Sequence, residues 1–135
     1  MKTKLISLFA ILAILVTFTP TVSAQVGGND WTAVPGGTWT ITPADGKAPF
    51  SYSLNYSPAS VTRDSDGWVG ITFDMVYTDS TPTAYYHNRI NCQTHQYTFA
   101  KFDISTTPAT LGTVSVVKDI QPNTAGKAVE AIACR

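Results

Sequence analysis

Cys92 and Cys134 are the only cysteines in this 135-residue chain, and Cys134 is its penultimate residue. In an exported protein a single pair of this kind closes on itself, so a disulfide is expected to tie the tail to the middle of the fold. Bridging a loop of about forty residues removes unfolded-state freedom worth on the order of 4 kcal/mol, a large share of what holds a small domain together. The tail is therefore expected to be structural.

Export is expected from residues 1–24. Lys2 and Lys4 form a short basic region, residues 5–18 an apolar run, and Val22-Ser23-Ala24 a small-x-small cleavage site, with cleavage after Ala24. The run is shorter than the roughly 20 residues a spanning helix needs, and Pro20 ends it, so it reads as a signal peptide rather than an anchor. No later stretch suits a transmembrane segment, and no cysteine lies near the cleavage point to carry a lipid. A soluble periplasmic, cell-surface or secreted protein is expected.

Residues 25–37, with Gly27, Gly28, Pro35, Gly36 and Gly37, read as a flexible leader, and 38–135 as one domain. Without Lys2 and Lys4, seven basic residues stand against nine acidic, a net charge of about −2. No basic face is visible in their order, which argues against nucleic acid as a partner. Few charges together with many Thr, Ser, Tyr and Trp indicate a β-rich fold.

Trp39-Thr40-Ile41-Thr42 is a first candidate strand, stopped by Pro43 and the Asp45-Gly46 turn. Over 68–77, Val69, Ile71, Phe73, Met75 and Tyr77 alternate with Trp68, Gly70, Thr72, Asp74 and Val76, which predicts a strand with one buried face. Residues 60–63 and the turn Asp64-Ser65-Asp66-Gly67 precede it as a hairpin. Residues 84–92 place Tyr86, Asn88, Ile90 and Cys92 on one side and Tyr85, His87, Arg89 and Asn91 on the other. Along 96–104 the apolar phase shifts between Tyr97/Phe99 and Phe102/Ile104, which a β-bulge would explain. A last strand is expected over 113–117.

Only the tail reads as helix. Asn123 or Thr124 can cap it, and Ala125, Ala128, Val129 and Ile132 form a stripe suited to a sheet face, with Lys127, Glu130 and Arg135 outside. At 100° per residue Cys134 points away from that stripe, so the helix is expected to end before it. The fold class that follows is α+β, an antiparallel sheet of about five or six strands with one C-terminal helix packed on a face and held by the disulfide.

Ile90-Asn91-Cys92 with Tyr97 in the next strand, then Ile120-Gln121-Pro122-Asn123-Thr124-Ala125-Gly126-Lys127-Ala128-Val129 closing at Ala133-Cys134, resembles the surface-adhesin protein E family of bacterial envelope proteins. The resemblance covers about the last third of the chain. It implies a sheet with the terminal helix disulfide-tethered to one face, and an adhesive role. Two positions depart from the pattern. Many members are lipoproteins whereas this chain has no lipid-bearing cysteine, and Lys127 stands where an acidic residue is expected.

No catalytic motif stands out: no Gly-x-Ser-x-Gly elbow, phosphate loop, His-Glu-x-x-His or Cys-x-x-Cys. Asp64-Ser65-Asp66-Gly67 resembles part of a calcium loop, but Thr62 and Phe73 occupy ligand positions, so a plain turn is expected. His87 and His95 read as surface histidines rather than metal ligands or bases. Asn55-Tyr56-Ser57 matches a glycosylation sequon, followed by Pro58. Trp31, Trp39, Trp68, Tyr85 and Tyr86 offer aromatic contact area, and Trp68, Tyr85 and Tyr86 are the candidate binding residues. The expected function is non-enzymatic binding of an extracellular or envelope macromolecule, with no catalytic residue, metal or cofactor. The alternatives are a periplasmic structural or accessory module, or a haem-like small-ligand binder, which needs a pocket between helix and sheet.

Overall fold

The computed structural model describes residues 30–135. The expected signal peptide, its cleavage site and residues 25–29 lie outside them. The strands are β1 Thr32–Ala33, β2 Trp39–Ile41, β3 Phe50–Tyr56, β4 Thr62–Arg63, β5 Trp68–Tyr77, β6 Ala84–Asn91, β7 Gln96–Asp103, β8 Thr110–Leu111 and β9 Lys118–Asp119. A 3-10 turn, Pro58–Ser60, precedes β4, and the helix α1 spans Ala125–Ala133. All pairings are antiparallel.

The long strands β3, β5, β6 and β7 lie side by side at the centre. β1 and β2 share the outer edge of β3, β4 continues β3's place along β5, and β8 and β9 share the outer edge of β7. The sheet thus has nine strands among the described residues, not five or six. The difference is mostly pieces of two or three residues, too short for a period of two to register. β3 is different: Phe50, Tyr52, Leu54 and Tyr56 alternate cleanly with Ser51, Ser53 and Asn55, yet it was not among the expected strands. Residues 32–33 pair with β3 and Val34 is buried, so the sheet takes in part of the segment expected as a leader.

Alternation in 68–77 predicted one buried face, but every residue from 69 to 74 is buried. On one face Val69, Ile71 and Phe73 join the core with Leu54, Ile90, Val129, Ile132 and Ala133. The other is closed by hydrogen bonds. The Thr72 amide donates to Ser60 Oγ at 2.8 Å, and Asp74 Oδ1 accepts from the amide and side chain of Asn55 at 3.1 and 2.9 Å. A polar layer of this kind leaves no trace in hydropathy. The sequon asparagine is thus engaged within the sheet.

No bulge interrupts β7 where it pairs with β6, since the register runs unbroken from Asn91↔Gln96 to Tyr86↔Lys101. The apolar phase changes because Tyr97 and Phe99 face the helix side while buried Ala100 and Phe102 face the other. The irregularity lies in the neighbouring edge. Five steps along β7, from Tyr97 to Phe102, face seven steps from Leu111 to Lys118. Residues 112–117 therefore form no regular strand, correcting the one expected over 113–117. They follow β7 through three hydrogen bonds: the Gly112 amide donates to the Lys101 carbonyl, the Ser115 amide to the Phe99 carbonyl, and the Phe99 amide to Ser115 Oγ.

The helix is capped by Thr124, whose Oγ1 accepts from the Lys127 amide at 3.3 Å. Cys134 closes it as C-cap and is bonded to Cys92, with Cα atoms 5.6 Å apart. Arg63 reaches the same end, donating to the Ala133 carbonyl at 2.9 Å and the Arg135 carbonyl at 3.2 Å. A cation on the free carbonyls of a helix C-terminus also suits the macrodipole.

Candidate functional site

The disulfide is one of two ties between α1 and the β6–β7 turn. His95, in left-handed backbone at φ 55°, sets its Nδ1 3.0 Å from Glu130 Oε1. Lys127 Nζ donates to the same oxygen at 2.8 Å. Glu130 is thereby buried, contrary to its expected place outside the stripe. Burial pushes its carboxyl up, and the hydrogen bonds and charges of Lys127 and His95 outweigh this and hold it below the ordinary range.

The candidate aromatic residues do not share one surface. The strand register puts Trp68 and Tyr85 on the face away from the helix and Tyr86 on the helix face. Trp68 lies beneath Arg89, whose guanidinium is 5.5 Å from its ring and also pairs with Asp64. Tyr85 is tilted against Trp31, with centroids 5.9 Å apart. Tyr86 stacks on Phe73 at 5.7 Å. Trp39 stacks on Tyr52 at 6.1 Å, on the helix side.

The histidines are also apart. His95 is exposed beside the helix, while His87 is half-buried on the far face, its Nδ1 3.0 Å from Thr72 Oγ1. His87 is therefore not the surface histidine expected. Burial, then the charge of Arg89, lowers its pKa below 6.5. As pH falls through 6.5 the unfolded chain takes up a proton that folded His87 resists, so stability should drop on acidification. We expect the urea midpoint to fall between pH 7 and pH 5, and to fall less in His87→Gln. An equal fall in both proteins would show that His87 does not couple to folding.

Among the described residues no helix is long and apolar enough to cross a membrane, and no group of three or more His, Cys, Asp or Glu side chains is placed to hold a metal.

Two features stand out as places for a partner. One is a cleft beside α1, lined by aromatic residues of β3, β5, β6 and β7. The other is the edge beyond β7. There Leu111, Val114, Val116 and Val117 are 40, 56, 76 and 51 % exposed. Scattered exposed valines are ordinary, but four large apolar residues within seven positions make a patch. No family model, curated protein or solved structure matches this chain. The edge was hard to foresee, because an apolar run at 113–117 reads as a strand that packs. Instead Val114, Val116 and Val117 stay exposed along a segment two residues longer than the stretch of β7 it faces.

Proposed function

We propose that this is an exported, non-enzymatic binding protein of the bacterial envelope, adhesin-like in the sense of the surface-adhesin protein E resemblance. It contacts an extracellular or envelope protein through the edge at residues 111–117. The observation that carries this reading is the exposed apolar run on an edge whose inner side makes only occasional bonds to β7. Such an edge can add a partner strand, main-chain bonds giving affinity and the valine side chains selectivity. The disulfide suits an oxidising compartment. It also fixes the helix on one face, leaving the edge free.

The purified protein, disulfide intact, should bind an immobilised basement-membrane extract saturably. A Val114→Asp/Val116→Asp variant should lose at least about tenfold in affinity with an unchanged melting temperature, because a charge on the edge opposes strand addition. Trp68→Ala and Tyr85→Ala should bind nearly normally. If instead those two lose binding and the valine variant keeps it, the contact is the far face. If the partner is recovered only from the same cell's envelope, the accessory-module alternative is favoured. Turnover that disappears in His87→Ala or His95→Ala would overturn the non-enzymatic reading.

A further inference from the structure

The helix face of the sheet is larger than the helix covering it. Nine helical residues are about 14 Å long, whereas the ten residues of β5 run about 33 Å. The C-terminal end of α1 is fixed over one end, by Arg63, which pairs with Val69 across the sheet, and by Cys92 at the end of β6. What stays uncovered is a cleft of about 400 Å³, within the range of small-molecule sites. Leu54, Phe73, Tyr86 and Phe99 line its sheet side, and Ala125 and Val129 its helix side.

One residue in this lining is out of character. Asn88 is 5 % exposed and lies between Ile71 and Phe99 in the register. Its Oδ1 is buried without a hydrogen-bond partner among the described residues. A buried acceptor left unpaired is costly, and a hydrophobic residue would fill the same place without that cost. Rotation about the last side-chain bond of asparagine is broad and roughly two-fold, so the amide can present its oxygen to the cleft. The remaining chemistry is neutral. Among the described residues Asp119 is the only charged residue in the lining, exposed at the rim, and exposed Lys118 holds its Nζ 5.3 Å from the centre of the Phe99 ring. Burial raises the Tyr52 and Tyr86 hydroxyls, keeping both phenols uncharged.

We propose that this cleft binds one small, neutral, ring-bearing molecule that donates a hydrogen bond to Asn88. The rings of the floor supply flat apolar contact, and the amide selects a donor over a plain hydrocarbon. The two charges at the cleft, Asp119 and Lys118, are both exposed and opposite in sign, so among the described residues a carboxylate or phosphate entering the cleft meets no buried cation to offset its desolvation. This site is on the helix face, separate from the edge that contacts a protein partner.

The test uses N-phenyl-1-naphthylamine, a neutral fluorescent probe of three aromatic rings with a single N–H, and 1-phenylnaphthalene, which keeps the rings without the donor, as competitor. The purified protein with its disulfide intact should bind the amine saturably at one site and prefer it over the hydrocarbon by roughly five- to tenfold. Ala125→Trp, which fills the mouth from a half-buried helix position, should weaken binding more than about tenfold with the melting temperature unchanged. In Asn88→Leu the preference should vanish while hydrocarbon binding persists. Should that variant not fold, the wild-type preference decides alone. Absence of saturable binding, equal affinity for the two probes in the wild type, or unaltered binding by Ala125→Trp would overturn the proposal.

Discussion

Replacing Cys92 and Cys134 together by serine should lower stability by about 4 kcal/mol. The two residues are 42 apart in sequence, and a loop of that length carries about this much unfolded-state entropy on the chain-entropy model. The loop spans β7, the irregular edge and the approach to α1, so opening it loosens the part of the chain that carries both the edge and the helix. Three contacts survive the substitution: the Arg63 bonds to the last carbonyls, the His95 contact to Glu130, and the burial of Val129, Ile132 and Ala133. The expected result is a folded but weaker domain with a lower urea midpoint. A loss below about 1 kcal/mol would mean that packing alone holds the tail in the unfolded reference as well as in the fold.

Ile132→Asp should cost about 3 kcal/mol or more, since Ile132 is buried within the core and a carboxylate there has no designated partner. The neighbouring surface position behaves differently from what helix electrostatics alone suggests. An acidic residue at 127 would favour the helix N-terminus. Here, however, Lys127 is a partner of buried Glu130, so Lys127→Asp removes a hydrogen bond and places a second carboxylate beside the first. We expect a loss of about 1 to 2 kcal/mol, largely relieved when Glu130→Gln is added. Urea midpoints of the three variants and the double variant at pH 7 check this. Equal sensitivity at 127 and 132, or no relief from Glu130→Gln, would contradict the packing described for α1.

The features legible in the sequence are those with a local signal. The lone cysteine pair gave the disulfide, and clean alternation gave β5 and β6. The Ala125, Val129 and Ile132 spacing together with Thr124 gave the helix and its cap. Alternation also placed Asn88 on the side of Tyr86 and Ile90, where an amide is unexpected. That its oxygen has no partner among the described residues depends on which strands flank it, and so was not readable. Glu130 was misplaced for a similar reason. Its burial depends on His95, 35 residues away, which only the disulfide-closed turn brings near. The far face of β5 is covered by Ser60, Asn55 and His87 through hydrogen bonds, and polar residues at alternate positions ordinarily signal solvent. The edge beyond β7 was read as a strand because valine favours strands, whereas its register against β7 is set by two extra residues that no local pattern marks.

We propose that the edge at residues 111–117 receives a partner. This is tested most directly by placing a photoreactive benzophenone residue at position 116, and separately at 68 and 85, in the disulfide-intact protein bound to matrix extract. A discrete crosslink is expected from position 116, mapped to an extended segment of one partner protein, with little from 68 or 85. Crosslinks from 68 and 85 with none from 116 would contradict it.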